Sequence, residues 1–215
     1  VKYVGNGSAG ATVGHGLNKT PSIVITKGIS GSAGNTNWNV YTSATGPTKK
    51  LVLNSSAGEN TNTTWWNDTA PTASVFSLGT TGDSNYNGDN FIAYCFANID
   101  GYQRIGSYVG NGSTGGPFIY TGFEVAWLLV KQIDGSNHWV IKDNKRSTTN
   151  PREERLKANL VNAEDTGADV NFLTNGFQIV SASNEVNSNN NNYLFLAIAA
   201  NPDTTAPTKA NSFKT

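Results

Sequence analysis

Lys2-Tyr3-Val4-Gly5-Asn6-Gly7-Ser8 lies near the start of the chain and returns as Ser107-Tyr108-Val109-Gly110-Asn111-Gly112-Ser113. The two copies are about a hundred residues apart, which is too long for a solenoid repeat and is the usual size of a domain. Further motifs recur in the same order, and the last pair consists of residues 90–97 and 192–199. The sequence therefore predicts a tandem duplication.

The motifs between these ends recur in the same order in both halves of the chain. Each pair joins a segment of the first unit to a segment of the second, and the pairs are 22–27 with 126–131, 38–40 with 139–141, 50–54 with 155–159, and 76–79 with 173–176. Residues 1–100 are predicted to form one domain, called repeat 1, and residues 101–200 a second, called repeat 2. The joint at 100–106 is short and contains aromatic and aliphatic residues, which favours packed repeats.

Residues 201–215 form a polar segment that is typical of a C-terminal tail. Such a tail either packs on its own domain or docks on a neighbouring subunit, and the sequence leaves both open. Methionine is absent, including at position 1, which predicts a processed chain or a piece of a longer polypeptide.

Most of the secondary structure is predicted to be strand. Short apolar runs rich in β-branched and aromatic residues are bounded by turn formers, and they are 23–25, 51–53, 91–96, 127–130 and 193–198. Residues 152–157, after Asn150-Pro151, are the helix candidate, although their counterpart in repeat 1 has the pattern of a strand. Trp38 and Trp139 recur and are predicted to lie in the cores. The predicted fold class is all-β, with two tandem antiparallel β-sandwich domains.

The composition argues against several classes of partner. Charged residues make up 14% of the chain and sum to a net charge of zero, whereas nucleic acids and anionic membranes need a basic surface. No run approaches the roughly twenty apolar residues of a membrane span, so membrane insertion is not predicted. The single cysteine, Cys95, lies in an apolar run and is predicted to be a small core residue.

Candidates for catalysis are few. The histidines His15 and His138 are predicted in loop or strand-edge positions, and no nucleophile-elbow signature is present. A glycosidase needs a pair of carboxylates. The carboxylates available for such a pair are Asp143, Glu153, Glu154, Glu164 and Asp165. They lie among other charges and have no match in repeat 1, so no catalytic residue and no enzyme activity is predicted.

One loop resembles the front half of an EF-hand calcium site. Residues 83–89 place oxygen ligands at alternate positions and Gly at the sixth. The ligands would be Asp83, Asn85, Asn87 and Asp89. Tyr94 replaces the bidentate Glu expected at the twelfth position, and strands are predicted in place of the flanking helices. A polar hairpin loop is therefore the alternative, and calcium is the only candidate cofactor.

The best binding feature is a pair of tryptophans in a polar stretch, Trp65 and Trp66, followed by Asn67 and Asp68. A solvent-facing indole stacks on the apolar face of a sugar ring, while amide and carboxylate groups bind the hydroxyls. These four residues are the predicted glycan site. The alternative is that both rings pack under a long loop.

Together the motifs resemble a family of phage virion proteins, which are tail-fibre-like and structural proteins frequent in marine phages. The segments that carry the resemblance are 3–8, 13–17, 66–72, 92–97, 106–113, 143–146, 162–164 and 172–177. They cover nearly the whole chain. The resemblance implies tandem copies of a domain with a concanavalin-like, jelly-roll look, often with a further copy upstream, and it offers no catalytic residues to carry over.

The sequence therefore predicts a structural or appendage protein of a phage particle, either tail-fibre-like or decorating the particle surface. Its predicted partners are further copies of itself, other virion proteins and a glycan of the host surface. Its predicted location is the surface of the extracellular virion. A stand-alone carbohydrate-binding, lectin-like module is the alternative, and a glycan-degrading enzyme is the third hypothesis.

Overall fold

The computed structural model describes residues 1–202, so the tail-docking prediction rests on residues outside the described part of the chain. The described chain is all-β, as predicted. Its helices are single turns, α1 (Gly82–Asn85) and α2 (Asn184–Asn187), and a 3₁₀ turn spans Gly31–Asn35. Within this range no helix has the length and apolar character needed to cross a bilayer.

The strands of repeat 1 form a six-stranded sheet and a separate pair. They are β1 (Lys2–Val4), β2 (Ala11–Gly14), β3 (Ile23–Gly28), β4 (Asn39–Thr42), β5 (Lys49–Val52), β6 (Asn60–Thr61), β7 (Val75–Leu78) and β8 (Asn90–Phe96). The sheet is antiparallel with the order β1-β8-β3-β4-β5-β6, and β2 pairs with β7. Strands β3 and β8 contain two of the apolar runs from which strands were predicted in this repeat, and β5 overlaps the third, 51–53, and ends at Val52.

The strands of repeat 2 form a single sheet. They are β9 (Gln103–Val109), β10 (Phe118–Tyr120), β11 (Val125–Gln132), β12 (Val140–Asp143), β13 (Arg152–Lys157), β14 (Asp165–Leu173), β15 (Gly176–Ile179) and β16 (Asn192–Ala199). The order is β10-β15-β14-β13-β12-β11-β16-β9, and this antiparallel sheet nearly closes on itself. The helix candidate is strand β13, because its backbone pairs with β12 on one side and β14 on the other.

Aromatic contacts recur between the repeats. Tyr3 stacks on Phe91 with centroids 5.2 Å apart and an interplanar angle of 12°. Tyr108 stacks on Tyr193 at 5.1 Å and 11°. Because the first tyrosine belongs to the opening motif and its partner to the closing motif, the two ends of each repeat lie side by side.

Edge-on aromatic contacts correct one part of the predicted alignment. Tyr3 meets Phe76 at 6.1 Å and 77°, and Tyr108 meets Phe177 at 6.2 Å and 76°. Phe76 therefore corresponds to Phe177. The predicted match of residues 76–79 with 173–176 is wrong, since the counterpart of Phe76 lies several positions further along the chain, in β15.

The opening motif recurs because it packs against the single-turn helix of its own repeat. Gly5 lies against the chain just after α1, and Gly110 against the chain just after α2. A Cβ at Gly5 would lie 2.3 Å from Tyr86 O, and one at Gly110 would lie 2.3 Å from Ser188 O. Both positions therefore require glycine.

Two of the apolar clusters lie inside the repeats. The cluster in repeat 1 includes Trp66, Phe76 and Ala93, with Cys95 half-buried against it. The cluster in repeat 2 includes Phe177 together with both aromatic partners of the stack described above. Each covers one face of its sheet.

A third cluster joins the two repeats. It contains Ile23 and Leu51 from repeat 1 and Leu129, Trp139 and Leu196 from repeat 2. Successive residues of a strand point to opposite faces, so each sheet contributes one face to its own cluster and the other to this shared one. The repeats therefore share a core.

Candidate interaction surface

Trp65 and Trp66, predicted to offer a ring to a sugar, lie in the core of repeat 1. Their exposed fractions are 5% and 2%. The Trp66 Nε1 donates to Lys49 O at 3.1 Å, and its ring meets Tyr41 edge-on at 5.9 Å. The Lys50 ammonium lies over the Trp65 ring. The predicted glycan site does not fit this geometry, because both rings are covered by the protein.

The rest of this predicted site shapes a turn. Asn67 and Asp68 have left-handed backbones with φ values of 54° and 48°, a conformation that asparagine and aspartate tolerate. Both indoles lie in the repeat 1 cluster, where β6 is only two residues long. In repeat 2 the long strand β14 supplies Val170 and Phe172 to the corresponding cluster instead.

The predicted calcium loop is an internal cross-link. Its predicted ligands are Asp83, Asn85, Asn87 and Asp89. Asn85 is buried, and its Oδ1 accepts from Asn6 N at 2.9 Å. Asp89 Oδ2 accepts from Ala33 N at 2.8 Å. Because Asn85 and Asp89 accept hydrogen bonds from backbone N–H groups, these side chains serve the fold and do not form an open ligand set for calcium. Within residues 1–202 no cluster of three or more His, Cys, Asp or Glu side chains is placed to hold a metal ion.

Three of the five carboxylates considered for catalysis, Asp143, Glu164 and Asp165, are paired with arginines, and Glu154 accepts a hydrogen bond from the Ser147 hydroxyl. Arg146 Nε donates to Asp143 Oδ2 at 2.6 Å, and Arg146 Nη1 donates to Glu164 Oε2 at 2.8 Å. Arg155 holds Asp165 in the same way, and that hydrogen bond lowers the pKa of Asp165. A glycosidase acid needs a raised pKa instead. This arrangement suits a structural ionic network.

A second ionic group is buried in repeat 2. Lys142 and Asp169 are 0% and 2% exposed, and the Lys142 Nζ lies 3.2 Å from Asp169 Oδ2. The same Nζ donates to Arg152 O and Glu153 O at 3.1 Å. Burial lowers the pKa of Lys142, and the charge of Asp169 opposes that effect. These contacts hold β12 against β13 and β14.

His15 also has a structural explanation. It is 7% exposed, and its Nε2 lies 3.1 Å from Thr72 O. Leu17 N donates to its Nδ1 at 3.2 Å. Both ring nitrogens are thus engaged by backbone groups, as expected of a turn residue.

A sizeable uncovered apolar surface lies on the repeat 1 sheet. Ile29 and Tyr94 are 50% and 44% exposed, and Trp38 and Ile92 are half-buried. Trp38 and Tyr94 stack with centroids 6.2 Å apart and planes at 26°. These four residues are called the Trp38 shelf.

Strand pairing places the shelf beside the shared core. Tyr94 is the direct partner of Ile25 in the β3–β8 pair, and Ile25 packs against the shared cluster. Directly paired residues point to the same face of a sheet. A groove of about 300 Å³ lies next to the shelf, and its lining residues are Trp38, Leu53, Asn54 and Ala158.

In repeat 2 the corresponding surface is buried. The counterparts of Ile29, Trp38 and Tyr94 are Ile133, Trp139 and Leu196, which are 5%, 1% and 6% exposed. Repeat 1 covers them, and the Trp139 Nε1 donates to Val52 O at 2.9 Å. The same kind of face is thus covered in one repeat and open in the other.

Sequence reasoning missed the shelf. The prediction that both recurring tryptophans lie in the cores is confirmed for Trp139 and wrong for Trp38. Sequence equivalence does not determine which copy of a face is covered by a neighbour. The available signal is at Tyr94, where an aromatic ring with a polar tip replaces the leucine of repeat 2.

The family model described as Domain of unknown function (DUF7483) matches residues 1–202. The chain belongs to the DUF7483 family. That match includes both repeats. Neither the curated proteins nor the solved structures compared with the chain give a match.

Proposed function

We propose that this chain is a non-enzymatic structural component of a phage particle, either a tail-fibre-like appendage or a decoration of the particle surface. It assembles with further copies of itself and with other virion proteins, and it presents loops to the host surface. The motif resemblance described above supports the virion assignment. The Trp38 shelf supports the assembly.

The shelf is the single observation that carries this proposal. Large apolar groups that remain exposed in a contiguous patch mark interaction sites more often than isolated surface residues do. Here Ile29 and Tyr94 are each at least 44% exposed, and the same face of repeat 2 is covered by protein. A covering partner removes this surface from water.

The architecture proposed with this function is a pair of tandem β-sandwich repeats. In repeat 1 the pair β2–β7 packs over the six-stranded sheet through Phe76 and Leu78. In repeat 2 the two ends of one sheet curl over a common cluster, so that Ile119 of β10 packs with Tyr108 of β9. Each repeat thus encloses its own core and contributes a second face to the shared one.

Immunogold labelling of purified phage particles tests the virion assignment. The antibodies are raised against residues 1–202, and the particles are those whose genome encodes this chain. Label on intact particles, at the tail or on the capsid, is the expected result. Label confined to the soluble fraction of the infected-cell lysate would contradict the proposal.

A second candidate is carbohydrate binding at the shelf itself. The stacked Trp38 and Tyr94 rings offer an aromatic platform, and the carboxamides of Asn37 and Asn54 lie beside it, joined by a hydrogen bond of 3.1 Å. Aromatic faces with a few polar groups are typical of sugar sites. This pair replaces the buried tryptophans as the place where a host-surface glycan would bind.

Titration calorimetry with host-envelope polysaccharide tests the second candidate. Trp38→Ala is expected to weaken binding about tenfold, because it removes the stacking face. Tyr120→Ala is the matched control, since Tyr120 is 66% exposed on β10 and lies outside the shelf. Equal loss in both variants, or no binding by the unaltered chain, would exclude this site. Release of reducing sugar during the titration would instead revive the enzyme hypothesis.

A further inference from the structure

Repeat 1 covers repeat 2 through a short segment after β5. Three hydrogen bonds cross between the repeats there. Trp139 Nε1 donates to Val52 O at 2.9 Å, and Lys131 Nζ donates to Ser56 O at 2.9 Å. The N–H of Glu59 donates to the carbonyl of Ile133 at 2.7 Å. Residues 52–59 are called the covering segment.

Each of these residues has a counterpart in the other repeat. The backbone contacts fix the register, since Leu53 N donates to Trp38 O and Ala158 N donates to Trp139 O, both at 2.9 Å. The connection from β5 to β6 and that from β13 to β14 have the same length. Residues 157–164 therefore correspond to the covering segment, with Lys157 for Val52, Val161 for Ser56 and Glu164 for Glu59.

Both counterpart surfaces are exposed. The Trp38 shelf is open, as described above. In residues 157–164, Leu160 is 38% exposed and Val161 is 104% exposed, whereas Ser56 is half-buried. Leu156, just before this segment, is 39% exposed although its counterpart Leu51 is fully buried. One chain thus carries an exposed copy of each half of its own interface, and within the chain Ala158 of residues 157–164 borders the groove beside Trp38.

Comparing Lys131 with its counterpart Lys27 shows which hydrogen-bond acceptor is missing at the Trp38 shelf. Lys131 donates to the carbonyls of Gly135 and Asn137 and also to that of Ser56 in the covering segment. Among the described residues, its counterpart Lys27 donates to Gly34 O at 2.9 Å and Thr36 O at 2.6 Å. Gly34 O and Thr36 O correspond to Gly135 O and Asn137 O, the two acceptors of Lys131 within its own repeat. In the described part of the chain, no counterpart of Ser56 O accepts a hydrogen bond from Lys27. An ammonium group has three donors, so one further carbonyl matches the geometry of repeat 2.

We propose that a second copy of this chain docks residues 157–164 of its repeat 2 on the Trp38 shelf of repeat 1. The contact repeats the interface between the repeats. Lys27 Nζ then donates to Val161 O, Trp38 Nε1 to Lys157 O, and Glu164 N to Ile29 O. Leu160 and Val161 cover the exposed rings and Ile29.

The partner is another copy because one chain leaves both surfaces exposed at once. The contact joins two different surfaces, so it is heterologous and either closes into a ring or continues as a filament. This inference rests on the self-assembly part of the proposed function and names its interface.

Sedimentation of two complementary variants tests the inference. Val161→Asp places a charge in the docking segment, and Tyr94→Asp places one on the shelf. Each is expected to weaken self-association about tenfold or more, because the buried apolar contact becomes a desolvated charge. An equimolar mixture is expected to form a heterodimer, since one intact shelf and one intact segment remain. Tyr120→Asp, at an exposed tyrosine outside both surfaces, should assemble like the unaltered chain.

Assembly of Val161→Asp equal to that of the unaltered chain would overturn the inference, as would a mixture that stays monomeric. If Tyr94→Asp does not fold, Ile29→Asp replaces it, because Ile29 is 50% exposed. A chain that ends at Pro202 is measured alongside. Loss of assembly in that truncated chain would identify residues 203–215 as the occupant and overturn the inference. Unaltered assembly of all variants would reject this interface and leave self-assembly standing, whereas a monomeric unaltered chain would reject both.

Discussion

The carboxamides of Asn85 and Asn187 make the same contacts in the two repeats. Each Oδ1 accepts from the backbone N–H of the opening-motif asparagine, at 2.9 Å in repeat 1 and 2.8 Å in repeat 2. Each Nδ2 donates to the carbonyl of the motif serine, at 3.0 Å and 2.7 Å. Both side chains are buried, and each holds the opening motif of its repeat against the single-turn helix near the end of that repeat.

Replacing Asn187 by Ala is therefore expected to destabilise the protein by about 2–4 kcal/mol, because several buried backbone groups lose their partner. Urea denaturation followed by tryptophan fluorescence measures this change. Asn189→Ala is the matched control, since Asn189 is exposed two residues further on. A cost below about 0.5 kcal/mol for Asn187→Ala would show that the carboxamide does not hold the motif.

Trp66→Ala is expected to cost about 3–5 kcal/mol, because it removes a ring that is 2% exposed and leaves a cavity in repeat 1. Thermal unfolding measured by circular dichroism checks this. Any loss of glycan binding in this variant should follow the loss of folded protein. A Trp66→Ala chain that folds normally and fails only to bind sugar would restore the predicted site at these tryptophans.

The shared core predicts that the repeats unfold together. Trp139→Ala is expected to lower the stability of both repeats by about 3–5 kcal/mol in total, because its ring is 1% exposed between them. Trp38→Ala, at the half-buried counterpart, should cost much less. Hydrogen exchange of amides in β3 and in β16 reports on each repeat separately. Faster exchange in β16 alone would mean that the repeats fold independently.

Burial lowers the pKa of Lys131 to about 8 from its ordinary value of 10.5, although the charge of Asp134 opposes this. Between these two values the unfolded chain binds more protons than the folded chain, so stability rises with pH. The expected gain from Lys131 between pH 8 and 9.5 is about 1 kcal/mol. Burial also lowers the pKa of Lys50 to about 8, which adds to the rise, and raises the pKa of the Cys95 thiol to about 11, which opposes it. Lys131→Met should therefore flatten the rise by the share that belongs to Lys131.

Urea titrations at several pH values between 7.5 and 9.5 measure this slope. The window ends there because burial raises the pKa of Tyr108 well above its ordinary value of 10.0. Above that pH the folded state holds more phenolic protons than the unfolded state, which reverses the slope. A pH slope that is the same in Lys131→Met as in the unaltered chain would contradict the buried position of Lys131.

Much of the fold could be predicted because the duplication is visible in short recurring motifs and apolar runs of the sequence. The apolar runs predicted the central strands of both repeats and, together with the turn formers that bound them, the all-β class. The match of Phe76 was misplaced because the chain between β5 and β7 differs from that between β13 and β15. In repeat 1 the core is filled by Trp65 and Trp66, whereas in repeat 2 it is filled by residues of the long strand β14. No local sequence pattern predicts this difference.

The candidate surface was harder to predict. A polar loop with alternating oxygens and a Trp pair beside Asn and Asp both resemble binding sites, yet Asn85 and Trp66 are used inside the protein. The recurrence of Trp38 as Trp139 predicts a core position for both tryptophans. Its exposure depends on how one repeat is offset against the other, which is a tertiary property.

The most direct test of self-assembly through the Trp38 shelf is the solution mass of the unaltered chain, measured by light scattering over a concentration series. The chain ending at Pro202 is measured beside it. Both chains are expected to rise above the mass of one chain with concentration, because the shelf and residues 157–164 lie within residues 1–202. A monomer at every concentration, for both chains, would contradict the claim that this surface is built for assembly.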